Sequence, residues 1–167
     1  MDEIVRESGL SKGAIYWYFK SKDEIISELI NFFFDPEEMM KLDKMLSAGS
    51  AVGRIRKLID YTAEAMDKMK PFQPVIQELY VIAFRDPKIK QLTTKGLKES
   101  TALIEKIIEY GIKKKEFRRM DARRISAAMV AVMEGAAMLW FINADDFDYV
   151  EQVRYGINLI IDAIKVK

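Results

Sequence analysis

The stretch SGLSKGAIYWYFKSKDEI, residues 8–25, decides how the rest of the chain is read. Tyr16, Trp17 and Tyr18 stand in a row among Lys12, Lys20 and Lys22, with no acidic residue between positions 11 and 22. Neighbouring side chains on an α-helix point about 100° apart, so three consecutive rings cannot all enter one core. At least one of them faces outward, beside positive charge. Gly9 suits the left-handed turn that closes a helix. Ser11 is a helix-capping residue, and Ser21 with Glu24 three positions on forms the reciprocal pattern of a capping box. A first short helix capped by Asp2 carries Ile4 and Val5, and a second runs from Ser11 through Phe19. With Leu10 in the turn, Ile4, Val5, Ile15 and Phe19 converge on one small core, which is a helix-turn-helix. The second helix then turns Lys12, Gly13, Ala14, Tyr16, Trp17 and Tyr18 outward, where such a helix meets the major groove of DNA. Lys12, Lys20 and Lys22 supply charge for the phosphates.

The composition narrows the alternatives. The chain has 167 residues, half of them hydrophobic, and a net charge of +1. A nucleic-acid role must therefore rest on a local patch and not on a global field. There is no Cys and no His. Cys- or His-dependent nucleophiles, structural zinc of the usual ligand sets and disulfides are thereby excluded. No catalytic set, metal site or cofactor is expected. The N-terminus has no signal-peptide pattern. Only residues 125–142 raise a membrane question; they are short for a span and carry Glu134 in mid-run, so they read as a buried helix of a soluble protein.

Helical periodicity continues throughout, without strand-like alternation. Ile25, Ile26, Leu29 and Phe33 form one face of a third helix, and Asp35-Pro36-Glu37-Glu38 starts another. The best boundary is LSAGSAVGR, residues 46–54, which separates a head, 1–46, from a larger unit, 50–167. In that unit amphipathic helices are expected over 52–69, 74–84, 86–115, 121–142 and 147–166. The fold class is all-α: a helix-turn-helix head followed by a helical bundle.

Residues 1–26, MDEIVRESGLSKGAIYWYFKSKDEII, resemble the DNA-binding signature of TetR-family transcriptional repressors. The resemblance lies in I-V-x-x-x-G-L-S-K-G, I-Y-x-Y-F and S-K-D-x-I, and covers the first quarter of the chain. Two weaker features agree with it, G-x-x-x-x-E-F-R over residues 111–118 and Glu134-Gly135. It implies that Ser11, Lys12, Gly13 and Ala14 lie at the DNA-facing helix start, that Tyr16, Trp17 and Tyr18 touch bases and phosphates, and that Lys22 holds the backbone. Ala14 stands where relatives often carry a hydrogen-bonding side chain, and Tyr18 where His is frequent. Relatives also have a helix before this motif, so the head is expected to be incomplete at its N-terminus.

The resemblance further implies a cytoplasmic homodimer on a palindromic operator of double-stranded DNA, released by a small-molecule inducer. Small residues every four positions, Ala127, Ala131 and Gly135, and the stripe Val153, Ile157, Ile160 and Ile164 are the expected dimer surface; the alternative is that both stripes are internal core. Tyr61, Met66, Met69, Phe72, Tyr80, Phe84, Met129 and Met133 are adaptable apolar side chains suited to an apolar or amphipathic ligand. Glu134, the sole charge between residues 125 and 142, lies either beside that ligand or at a solvated edge of the dimer seam. Two other readings stand beside this one: a helical protein-interaction module, and an enzyme without metal or His/Cys chemistry.

Overall fold

The computed structural model describes residues 1–33 and 35–166; the Phe33 side chain, expected on the apolar face of the third helix, lies outside the described residues. The elements are α1 (Asp2–Ser8), α2 (Lys12–Tyr18), α3 (Lys22–Phe33), α4 (Pro36–Met45), α5 (Ala51–Met69), α6 (Gln73–Ala83), α7 (Pro87–Lys113), α8 (Ala122–Ile142) and α9 (Tyr149–Ile164). A 3₁₀ turn, Lys70–Phe72, joins α5 to α6. Most helix starts follow from local chemistry. The side chains of Ser50, Asp86, Asp121 and Asp148 each accept a backbone N–H at the start of α5, α7, α8 and α9. Asp35 does the same for α4, with Pro36 in the first turn, where its missing N–H costs nothing. Asp2, expected as a cap, is instead the first residue of α1, and its carboxylate pairs with Lys12.

The long helix α7 is the spine of the molecule and packs against α3, α5, α6 and α8, while α9 closes against α5 and α8. Ile55 and Ile59 of α5, Ile104 and Ile108 of α7, Met129 of α8, and Val153, Ile157 and Ile161 of α9 meet in one core. Burying each such side chain contributes roughly 1.5–3 kcal/mol against leaving it in water. The turn at residues 46–50 is no slack tether, since Leu46 and Ala51 on either side of it are both buried in that core.

Two tertiary devices fix the far end. The Glu116 carboxylate accepts the Ala51 N–H at 2.8 Å and so caps α5 from 65 residues away. Arg118 N–H donates to Ile164 O, and Val166 N–H to Glu116 O, clamping the end of α9. The expected burial of α8 is corrected: only one side faces the core, through Ser126, Met129, Ala136, Trp140 and Phe141. Its other side stays open, with Met138, Leu139 and Ile142 exposed. By length and composition α8 could also span a membrane.

Candidate nucleic-acid interface and ligand cavity

In the head, Gly9 ends α1 at φ 67°, the left-handed conformation that only glycine adopts without a steric cost. The chain reverses there, and Ser11 Oγ accepts the Ala14 N–H at 3.1 Å to start α2. Ser21 Oγ accepts the Glu24 N–H, and the Glu24 carboxylate reaches back to the Lys20 N–H at 2.6 Å. Only Ile15 of α1 and α2 is fully buried; Ile4, Val5 and Phe19 are half-buried around it. Leu10, expected in this small core, is 50% exposed because the turn carries it to the outside.

All three aromatics are turned outward: Tyr16 is 45%, Trp17 78% and Tyr18 65% exposed. Since a helix of two turns cannot hide them on one side, this outcome goes beyond the single exposed ring that geometry demanded. Trp17 and Tyr18 meet edge to face, centroids 4.7 Å apart, which braces two large exposed rings in one orientation. Ser11, Lys12, Gly13 and Lys22 are exposed on the same head, and Ala14 is half-buried. Lys12 Nζ lies 2.8 Å from Asp2 Oδ1. That contact holds the Asp2 carboxyl below its ordinary value and raises the Lys12 ammonium above its own, both through the shared hydrogen bond first.

The second feature is a partly open cavity of ≈ 320 Å³ between α5, α6, α7 and α8, with Ile30 of α3, Met39 and Leu42 of α4 and Tyr149 of α9 in its wall. Of the residues expected from the sequence, Tyr61, Met66, Met69, Tyr80, Met133 and Glu134 line it. Three do not. Phe72 sits in the 3₁₀ turn before α6 and Phe84 just past its end, so both rings are swung into solvent. Met129, one turn before Met133, is sealed in the core at 1% exposure. Thr62, Ile76, Leu79, Thr93, Phe141 and Tyr149 were missed; their spacing is that of ordinary core, and only the gap under α6 turns them into lining. No residue of α6 is fully buried. That helix is tied across by Gln73 and Gln77, whose side-chain amides both donate to the Phe141 carbonyl at the end of α8.

Tyr80 O–H donates to Glu134 Oε2 at 2.8 Å. Burial, and then the neighbouring Glu134 carboxylate, push the Tyr80 phenol far above its ordinary value. Tyr149 is raised as well, mainly by burial, with its contact to the Thr62 hydroxyl opposing the shift and Glu134 adding to it. Tyr61 is raised by burial first, then by Glu38.

The expected dimer surface divides. Ala127, Ala131 and Gly135 lie on the open side of α8, and a methyl built on Gly135 would touch nothing within 4 Å. Val153, Ile157 and Ile164 face the other way: at 0%, 1% and 2% exposure they belong to this chain's own core and cannot reach a partner. Ile160 is partly buried against the same core. The stripe of α9 thus marks its inner face, and Tyr155 and Leu159 are what it presents outward.

Residues 1–29 match the family of bacterial regulatory proteins called tetR, and residues 54–150 match the tetracyclin repressor-like C-terminal domain. An uncharacterized HTH-type transcriptional regulator of Bacillus subtilis (strain 168), YfiR, is 30% identical over 119 residues, 71% of this chain. The match spans 58% of that relative's length. Among solved structures, a TetR transcription regulator from Haloarcula marismortui ATCC 43049 superposes with a TM-score of 0.85 at 17% identity, over 99% of this chain and 86% of that one. A protein from Saccharomonospora viridis, assigned as a transcriptional regulator and solved in complex with choline, gives 0.84 at 18% identity over the same shares.

Proposed function

Since the chain belongs to the TetR family of bacterial regulatory proteins, we propose that it is a dimeric repressor that binds a palindromic operator in the cytoplasm and is released by a small apolar or amphipathic ligand. The observation that carries the DNA-binding half is the exposure of Tyr16, Trp17 and Tyr18 together on α2. A free-standing protein gains nothing from three rings in water, whereas bases and thymine methyls give them apolar contact. Lys12 and Lys22 then meet phosphates, with Lys12 exchanging Asp2 for the DNA backbone. The operator is read twice, by two heads about 34–36 Å apart across a twofold axis.

Support for the dimer comes from the open sides of α8 and α9. Ala127, Ala131 and Gly135 permit close helix approach, and Met138, Leu139 and Leu159 are apolar side chains left in water beside them. A four-helix seam made with a second copy would cover both helices at once. Ligand release would act through Ile30 of α3 and Met39 and Leu42 of α4, which stand in the cavity wall on the segment leading from the head. A ligand that needs these side chains moved favours the arrangement of heads that fits the operator poorly.

The test is selection of duplexes from a randomised pool, followed by gel shift at several salt concentrations. An enriched palindrome, bound less tightly as salt rises and lost with Trp17→Ala, is the expected result. Failure to enrich any sequence would overturn the DNA reading and favour a protein-binding module. Light scattering at micromolar concentration should give twice the chain mass, and a monomer there would overturn the dimer.

A further inference from the structure

Among the described residues that line the cavity, Glu134 is the one acid, and no Lys or Arg accompanies it. The same wall holds three phenol rings, Tyr61, Tyr80 and Tyr149. All three are held protonated by burial and by nearby carboxylates, Glu134 for Tyr80 and Tyr149 and Glu38 for Tyr61. A carboxylate among aromatic faces gives an interior that is apolar in contact and negative in potential. From this arrangement we infer that the cavity selects an organic monocation clad in hydrocarbon, such as a quaternary ammonium. The inference rests on the reading of the cavity as the ligand site.

Three features of the wall decide between ligand classes. Glu134 is exposed in the empty cavity and bonded to the Tyr80 hydroxyl, so a neutral apolar ligand lying over it would strip water from a carboxylate without replacing its charge partner, which is costly. An anion would meet the same carboxylate without a compensating cation. A primary ammonium brings three N–H donors that each need an acceptor. The described lining offers such a group one carboxylate, already shared with the Tyr80 hydroxyl, and beyond it only the lone pairs of neutral hydroxyls, Thr62 and Thr93, which donate to Ile59 O and Ile89 O, and Ser100. A quaternary centre needs no acceptors, is weakly hydrated, and packs its methyl groups on ring faces and methionines while the carboxylate balances its charge. A second positive centre would find no second acid among the described residues of the lining.

Calorimetry with three probes of similar shape tests this: benzyltrimethylammonium, its uncharged carbon counterpart neopentylbenzene, and the anion 4-tert-butylbenzoate. We expect the cation to bind at least about tenfold tighter than neopentylbenzene, and the anion to bind weakest. Glu134→Gln should bring cation and neutral probe within roughly threefold of one another, because the Coulombic part of the preference is gone. Tyr80→Phe keeps the ring and frees a carboxylate oxygen, so the preference for the cation should persist. Equal binding of the cation and neopentylbenzene would overturn the inference while leaving the cavity as a ligand site. Binding by none of the three would overturn the cavity reading itself. A preference that survives Glu134→Gln, or one that vanishes in Tyr80→Phe, would overturn the role given to the carboxylate.

Discussion

Replacing Gly111 by Ala should destabilise the protein although it improves helix propensity. Gly111 is buried inside α7, and a methyl on its Cα would meet the Phe117 ring, with Cε2 at 2.6 Å, and the Ala51 Cβ at 2.8 Å. Neither neighbour has room to yield. Phe117 is 2% exposed, its N–H is bonded to Gly111 O, and its strand bridge to Lys165 pins the backbone. Ala51 is fully buried, with its N–H held by Glu116. Alanine in a helix interior gains about 1 kcal/mol over glycine. Overpacking costs roughly 1–3 kcal/mol, and expelling the Phe117 ring would cost more, about 3–5 kcal/mol. The net loss should be about 2 kcal/mol, which in a chain of this size lowers Tm by roughly 4–8 °C. Circular dichroism melts, with urea titration as a check, measure it. Gly13→Ala is the control, because Gly13 is also helical but a methyl there has only Ser11 Oγ at 4.0 Å for a neighbour. An unchanged or higher Tm for Gly111→Ala, matching the control, would refute the claim that three segments close on this glycine.

Glu116→Gln should lower Tm by roughly 2–4 °C, because a charged cap at the start of α5 becomes a neutral one worth about 1 kcal/mol less; amide exchange at Ala51 should quicken with it, and an unaltered melt would reject the cap. Ile15→Ala should unfold the head, with a cost of about 2–5 kcal/mol for the one buried side chain of α1 and α2, whereas Trp17→Ala should leave stability within about 0.5 kcal/mol and weaken only DNA binding. Alkali should destabilise the fold. Tyr80 and Tyr149 keep their protons more tightly folded than unfolded, so their contribution is complete below about pH 10 and is lost as pH rises past the ordinary phenol value. Melts should show no decline from these groups at pH 7–9 and a fall above pH 10, less steep in Tyr80→Phe; the same slope in that variant would remove Tyr80 from the account.

The head was legible because its signals are local. Gly9, Ser11 and Ser21 act on their own next few residues, and the angle between neighbouring helical positions already forces aromatics outward. Helix boundaries in the larger unit were equally readable, since Asp35, Asp86 and Asp121 cap the residues that follow them. The cavity was only half legible. Tyr80 and Met133 line it, but Phe72 and Phe84, of the same chemical type and one to three turns away, stand in solvent. Composition is the same on both sides of that division, and only the ends of α6 separate them.

What the sequence by itself determined is therefore the set of helices, their order and the outward aromatic edge of α2, because these depend on interactions within a few residues. Which face of a long helix looks inward was left to the tertiary structure. The stripe Val153, Ile157 and Ile164 satisfies either a partner or this chain's own core, and packing against α5 and α8 chose the core. Likewise Glu134 reads from the sequence as a lone charge in an apolar run. Only the approach of α6, bringing the Tyr80 hydroxyl to 2.8 Å, sets that charge beside the aromatic wall of a cavity.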